Sequence, residues 1–513
     1  MKHIARSSLI ISVFAVSEKL LGAVRHIIIG RVFGLSTELD VFNAANNIPD
    51  LIFALISGGA LALAFIPVLS EFLEEKGHTA TWDLFSQVTN LVFIVSAILS
   101  IFVAIFAKQL VAWEIGIAPG FDAAQQLLVV NLMRLNLIAT LLFSLGGLAI
   151  AGLQANQHFL WPAIAPTMYD IGALIGVLFL SPETSFQIGP ITLPTLQLGI
   201  YGLVYGVILG AALFLGVQIP ALIHYKFKWT PALNLSDSGV KKVIRLMVPR
   251  VLTFFSIQLI FIIQDNLASR LQVGAVTALV YGWLFMQVPE TMIGTALGKA
   301  ILPTLSRQIT RGERQEFQRT FSTAIRVILG LIIPSAVLLG IGIRPFVGLL
   351  NFDAAGTDLV VWTTRAYLTG MLAHALIEIA ARTFYAQQKV LVPLLATILS
   401  TITFLIVGVI LSPRLGAPGI GLANSLAFSL EAVLLLILLY RSLPQGLQIT
   451  STLTRTLVGT GLGGGVSYIL LHYLPVGNLS MPLDVLFTIS ALLAGVAVVA
   501  PFVWREVKAL LSL

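Results

Sequence analysis

The sequence predicts an all-α polytopic membrane protein: about fourteen transmembrane helices, in two parallel six-helix repeats followed by an extra C-terminal helix pair. Three observations predict it: an apolar excess over the whole length, apolar runs of spanning length, and an internal repeat. Of the 513 residues, 57% are hydrophobic and only 10% charged, against roughly 25% charged in an average soluble domain. With a mean hydropathy of +0.96, the apolar residues cannot all be packed inside a globule whose surface must stay wet. The runs are continuous rather than alternating, which favours helices over a barrel. There is no cysteine, and the seven histidines are scattered without i,i+4 pairing, so neither a metal site nor a cofactor is expected. The net charge of +7 does not read as a nucleic-acid surface, because the cations punctuate apolar runs instead of covering one soluble face.

A bilayer core needs about 20 apolar residues per helix, and cutting at polar or Gly/Pro punctuation sets the elements in order. The first run, residues 8–34, follows Lys2 and Arg6. Glu18-Lys19 stands where a signal-peptide cleavage site would need small residues, so a retained helix is expected. The second, 39–71, carries Asp40, Asn43, Asn46, Asn47, Pro49 and Asp50 early and Gly58-Gly59 later. That composition predicts a broken or bent element beside a cavity. Then come 82–107, 123–153, 158–181, 199–225, 241–269, 273–304, 318–343, 357–386, 390–412, 415–440, 452–474 and 481–504. Lys226, Lys228, Lys241, Lys242, Arg245, Arg307, Arg311, Arg314, Arg319, Lys389, Arg441, Arg505 and Lys508 fall on the side of Lys2 and Arg6, which puts both termini in the cytoplasm. The Glu71, Glu74 and Glu75 loop departs from this trend without reversing it.

The repeat is visible within the single chain. Pro67-Val68-Leu69-Ser70 returns as Pro303-Thr304-Leu305-Ser306; Ala155-Asn156-Gln157-His158 through Pro162 returns as Ala386-Gln387-Gln388-Lys389 through Pro393; and Leu198-Gly199-x-x-Gly202 returns as Leu415-Gly416-x-x-Gly419. Three matches in one order imply an N-terminal lobe (1–225), a C-terminal lobe (226–441) and additional helices (442–513). Six being even, the halves enter the membrane in the same sense, with a pseudo-twofold axis along its normal.

Two motif look-alikes carry no chemistry. Gly294 to Lys299 is one residue short of a phosphate loop and lacks its Ser/Thr, and Gly459-x-Gly461-x-Gly463-Gly464 has no strand before it. Close helix packing explains the second, as it does Gly202-x-x-x-Gly206-x-x-x-Gly210. No catalytic motif is present, and an enzyme is not expected.

Charged groups at membrane depth cost on the order of 3 kcal/mol each on insertion scales and face partners or a wet cavity. Lys19, Gly22 and Arg25 form an i, i+3, i+6 strip suited to an extended anion such as a diphosphate. The alternative is that Glu18 and Lys19 serve neighbouring helices while Arg25 and Arg31 snorkel. Asp40 is either a gate or an interfacial cap, and Asn46 either meets substrate or satisfies freed backbone. Arg134 and Arg250 complete the candidate substrate-binding set. Asp170, Asp265, Glu290, Lys299, Arg365, Glu378, Arg382 and Glu431 are further intramembrane charges whose pairing sequence does not name.

The run Ser17-Glu18-Lys19-Leu20-Leu21-Gly22-Ala23-Val24-Arg25, with Gly30-Arg31-Val32-Phe33-Gly34, Asp40-Val41-Phe42, Ile48-Pro49-Asp50-Leu51 and Ala64-Phe65-Ile66-Pro67, resembles the MurJ/MviN family of the MOP exporter superfamily. The likeness continues through Ala296-Leu297-Gly298 and Pro303-x-Leu305-Ser306 and covers essentially the whole chain. It implies a MATE-like fold and a lipid II flippase that moves undecaprenyl-diphosphate-linked peptidoglycan precursor across the bacterial inner membrane by alternating access. A cationic cavity would take the diphosphate, and a groove of the last two helices the polyprenyl tail. Partners so implied are that lipid, membrane lipid and the cell-wall synthesis machinery. Lys19, Arg25 and Asp40 match the family's charged positions. Phe53 and Trp283 stand where the family carries arginines, His26 where it carries an acid, and residues 390–412 hold no acidic group for the sodium site typical of some relatives. Other readings of the chain are a polysaccharide-lipid or drug exporter of the same superfamily, or a non-transporting scaffold for cell-wall enzymes.

Overall fold

The computed structural model describes residues 2–56, 59–183, 187–188, 191–192, 194–441, 449–473 and 481–512. It divides into two compact units, Met1–Asn266 and Leu267–Leu513. The first is built from α1 (Lys2–Phe33), α2 (Thr37–Ile56), α3 (Gly59–Ala112), α4 (Ala123–Ala155), α5 (Leu160–Ile175), α6 (Ile200–Gly216), α7 (Ile219–His224) and nearly all of α8 (Ser238–Ala268). The second holds α9 (Ala275–Glu290), α10 (Ala296–Thr310), α11 (Arg314–Gly348), α12 (Ala354–Leu368), α13 (Met371–Ala386), α14 (Leu391–Leu415), α15 (Ala417–Tyr440), α16 (Thr450–Tyr473) and α17 (Met481–Ser512). One two-residue ladder, Gln187–Ile188 with Ile191–Thr192, is the only extended pairing among the described residues.

Among the described residues, the apolar runs lie on helix apart from a few residues at their ends and at internal breaks, and the breaks have local causes. The run over 39–71 is divided between α2 and the start of α3, and Gly58 lies outside the described residues. Gly77, at φ 78° and ψ −179°, bends α3 before the next apolar stretch, a conformation open to glycine because it has no Cβ. Pro289, which removes a backbone donor, precedes a π-turn at Thr291–Thr295 that joins α9 to α10. Among the described residues, eight helices are long and apolar enough to cross a membrane. Leu395, Ile402, Ile406 and Val409 of α14 are exposed, as expected of a helix whose solvent is lipid. The protein is a multi-pass membrane protein.

The repeat recurs in backbone geometry. Gln157 and Gln388 both sit at φ 59°, and each ends its helix the same way: Gln157 N–H donates to Gln154 O and His158 to Leu153 O, Gln388 to Tyr385 O and Lys389 to Phe384 O. Gly199 (φ 56°, ψ −137°) and Gly416 (φ 65°, ψ −146°) open α6 and α15 in one glycine-only conformation. Two further correspondences were not read from sequence. Asp122 and Asp353 cap α4 and α12, accepting from Gln125 N–H and Gly356 N–H at 2.8 Å. Arg134 Nε donates to Ala104 O and Arg365 Nε to Gly340 O, both at 2.9 Å.

Compactness places its boundary later than the expected 225/226 junction, because α8 is bonded to the first unit near both ends. Lys242 Nζ meets Glu71 at 2.5 and 2.7 Å, Asn47 Nδ2 donates to Asp265 Oδ2 at 2.7 Å, and Asn266 Nδ2 donates to Gly116 O at 2.6 Å.

The glycine stripe of α6 is a close-packing device. A Cβ on Gly206 would stand 2.5 Å from Gly176 Cα, and one on Gly172 2.2 Å from Gly210 Cα. Gly206→Val should therefore destabilise the protein by about 1–3 kcal/mol through overpacking, whereas Gly216→Val, with nothing within 4 Å, should not. Thermal unfolding midpoints in detergent compare the two.

Candidate functional site

The first unit brings together the polar part of α2, the middle of α4 and the face of α5 that meets α1. A cavity of about 260 Å³ is lined by Asn46, Pro49, Asp50, Phe53, Asn136, Thr140, Phe143 and Tyr169, with Pro166, Val207 and Phe214 completing its walls. Pro49 sits within α2, where proline removes a donor and its ring crowds the preceding turn. Thr140 Oγ1 donates to Pro49 O at 3.4 Å, so α4 meets the α2 backbone at the proline. Asn136 Nδ2 donates to Asn46 Oδ1 at 2.5 Å. Phe143 is a hub of ring contacts, 5.8 Å from Phe53, 5.3 Å from Tyr169 and 5.4 Å from Phe214 between centroids. Such a wall offers aromatic faces, amides and one exposed carboxylate, Asp50.

Tyr169 connects this cavity to Arg25. The guanidinium lies 4.8 Å from the Tyr169 ring centroid, Nε is 3.3 Å from Asp170 Oδ1, and Nη2 is 3.2 Å from His26 Nε2. Arg25 is 15% and Asp170 4% exposed in their side chains. In this low-dielectric setting each charge depends on the other. The absent side chain of Gly22 leaves its Cβ position 3.9 Å from both Asp170 oxygens. The α1 strip is thus a seat for α5 as well as a cationic face.

The other candidates are placed differently. Lys19 is 75% exposed and pairs with Glu18 at 3.6 Å. Asp40 is buried at 3%, and the start of α2 is capped instead by Ser36, whose Oγ accepts Leu39 N–H at 3.2 Å. Arg134 is exposed and does not line the cavity; its bond to the Ala104 carbonyl ties α4 to α3, and Asn136, two residues on, points inward. Geometry gives Arg134 a bracing role because Arg365 makes the same bond in the second unit. Arg250 lies on α8, with its side chain outside the described residues. Sequence reasoning missed Asn136, Thr140 and Tyr169 as cavity residues. Asn136 carried a signal, being an amide inside an apolar run, whereas Tyr169 carried none.

The second unit has its own partly buried charges. Arg382 Nη2 meets Glu378 Oε2 at 2.6 Å, one turn away, and Nη1 donates to Thr295 O at 3.1 Å. That carbonyl belongs to the π-turn. Gly298 makes room, since a Cβ there would stand 2.0 Å from Arg382 Nη1. Glu290, 8% exposed, accepts from Thr295 Oγ1 at 3.5 Å. Trp283 packs edge-on against Tyr367 and His374 at 5.7 and 5.2 Å. Phe53 and Trp283 therefore both belong to aromatic clusters.

A groove of about 560 Å³ runs between α9, α11 and α17, lined by Phe285, Val288, Leu331, Leu338, Val496 and Val499 among others. Two glycines of α16 pack closely: a Cβ on Gly459 would meet Phe502 at 2.7 Å, and one on Gly463 would meet Gly495 O at 2.5 Å, whereas Gly461 and Gly465 meet nothing within 4 Å. Gly459 and Gly463, one turn apart, serve helix contact.

Comparison with known proteins shows the family of the chain. The profile of the family described as lipid II flippase MurJ matches residues 29–486. Lipid II flippase MurJ of Burkholderia cenocepacia is 30% identical over 443 residues, covering 84% of this chain and 83% of that protein. A probable lipid II flippase MurJ of Vibrio cholerae is 26% identical over 453 residues, covering 86% and 83%. In fold, the chain is similar to a solved structure of lipid II flippase MurJ in an inward closed conformation, with TM-score 0.78, 19% identity, and coverage of 97% of this chain and 100% of that one. An inward-facing multidrug resistance MATE family transporter of the MOP superfamily aligns with TM-score 0.67 and 13% identity, over 81% and 92% of the two chains. A profile spanning nearly the whole chain and a relative of this identity and coverage leave one conclusion: the chain belongs to the lipid II flippase MurJ family.

Proposed function

We propose that the protein is a flippase for lipid II, carrying the undecaprenyl-diphosphate-linked peptidoglycan precursor from the inner to the outer leaflet of the bacterial inner membrane by alternating access of its two repeat lobes, with both termini cytoplasmic. The observation that carries this reading is the family match over residues 29–486. The transfer is a relocation of an intact lipid, so the chain needs no covalent step and acts as a transporter rather than an enzyme.

The first-unit site fits the headgroup by its chemistry. Arg25 supplies a guanidinium whose fork matches phosphate oxygens. Asn46, Asn136 and Asp50 offer hydrogen bonds to sugar hydroxyls, and Phe53, Phe143 and Tyr169 offer faces for apolar ring edges. Lys19, exposed on the same helix, adds positive charge along the approach, with Asp40 and Arg250 as further members of the substrate-binding set. The apolar groove of α9, α11 and α17 suits the polyprenyl tail.

Reconstitution in proteoliposomes with fluorescent lipid II tests the proposal. Wild type should flip it and Arg25→Ala should not; equal behaviour of the two would sink the transporter reading and favour the scaffold. Ala500→Trp, which fills the groove, should slow the full-length lipid about tenfold while sparing an analogue with a short prenyl tail. Depletion in the native host should leave lipid II on the cytoplasmic side.

A further inference from the structure

A cavity of about 860 Å³ in the second unit belongs to neither the headgroup site nor the apolar groove. It lies where α12 faces the corner between α14 and α15. Leu359, Trp362, Leu415 and Leu422 form apolar walls, and two guanidinium groups, Arg365 and Arg414, line it with them. Arg365 is fixed in place: Nε donates to Gly340 O at 2.9 Å and the guanidinium lies 5.0 Å from the Trp362 ring centroid. Arg414, in the last turn of α14, is exposed and has no carboxylate at ion-pair distance among the described residues. Asp358, the acidic group of the lining, is engaged by Arg344 at 2.5 Å.

The internal repeat serves as a control. Arg134 corresponds to Arg365 and makes the same carbonyl bond, so that bond belongs to the frame common to both units. Counting from the matched caps and the matched glycines, Asn131 stands opposite Trp362 and Gln197 opposite Arg414. The second unit has therefore gained an exposed indole and a second cation beside the shared arginine. Trp362 is 58% exposed, and tryptophan is enriched at headgroup level in membranes. Beside the cavity, α14 presents exposed leucine and isoleucine side chains over much of its length. Two guanidinium groups and an indole next to a lipid-facing helix are suited to an anion attached to hydrocarbon chains.

We propose that this cavity binds the phosphate headgroup of an anionic phospholipid, with Arg365 and Arg414 taking its phosphate oxygens and an acyl chain lying along α14. The site is separate from the transported headgroup and does not depend on the flippase reading.

Native mass spectrometry of the full chain in detergent, titrated separately with dioleoylphosphatidylglycerol, dioleoylphosphatidylcholine and undecaprenyl diphosphate, tests it. One phosphatidylglycerol should bind about tenfold more tightly than phosphatidylcholine, and Arg414→Gln and Trp362→Leu should each weaken it about tenfold. Arg414 is at an exposed helix end, so its replacement leaves folding intact, and Arg505→Gln, a distant exposed cation, should leave binding unchanged. Equal binding of the two phospholipids, or phosphatidylglycerol binding by Arg414→Gln at the wild-type level, would overturn the proposal. So would a loss confined to undecaprenyl diphosphate, which would assign the cavity to the carrier lipid instead.

Discussion

Arg25→Gln should lower the flipping rate about a hundredfold and destabilise the fold at the same time, and a second substitution should separate the two effects. Arg25 and Asp170 are a buried pair from α1 and α5. Removing one partner of such a pair leaves an uncompensated charge and costs about 3–5 kcal/mol. Asp170→Asn should thus be nearly as destabilising as Arg25→Gln. The double variant Arg25→Gln/Asp170→Asn has no orphan charge and should regain most of the lost thermal midpoint. It should still fail to flip, because loss of charge-assisted hydrogen bonds worth about 1.5–3 kcal/mol each is not repaired by removing the internal carboxylate. Unfolding curves in detergent and rates in proteoliposomes measure the two quantities on the same preparations. A double variant that flips like wild type would reduce Arg25 to a structural cation.

Arg382→Gln should destabilise the second unit by about 1–3 kcal/mol, because its partner Glu378 is only partly buried. It strips Glu378 of its ion pair and the π-turn carbonyl of Thr295 of its donor. It also leaves Glu290, close to both, in the same apolar region without the compensating cation. Adding Glu378→Gln should return about half of the loss, since the orphan carboxylate is then gone while the Thr295 carbonyl still lacks its side-chain donor. The expected non-additivity is read from a double-mutant cycle of unfolding midpoints. Strict additivity would mean that Arg382 and Glu378 do not stabilise one another.

Much of the architecture was legible before any coordinates. Gly199 and Gly416, and Gln157 and Gln388, were matched as letters and prove matched in backbone conformation, because such turns demand particular residues. The charged candidates were legible only as a class. Lys19 and Arg25 were indistinguishable by spacing, yet one is largely exposed and the other is held by Asp170. Arg134 bonds the Ala104 carbonyl, while Asn136 on the same helix lines the cavity. On a helix two residues apart means different faces, and hydropathy does not say which face meets a cavity and which meets lipid.

By itself, the sequence determined that this chain lives in a membrane, where its apolar runs form helices, that it is built twice over, and which family it resembles. These follow from transfer free energies and turn requirements that each short segment carries alone. Only the tertiary structure decided that Arg25 meets Asp170, that Asn47 meets Asp265 218 residues away, and that aromatic rings occupy the walls near Phe53 and Trp283. A buried charge must find a partner, but the rule that one must exist does not say which residue it is; that is settled by which helices pack together.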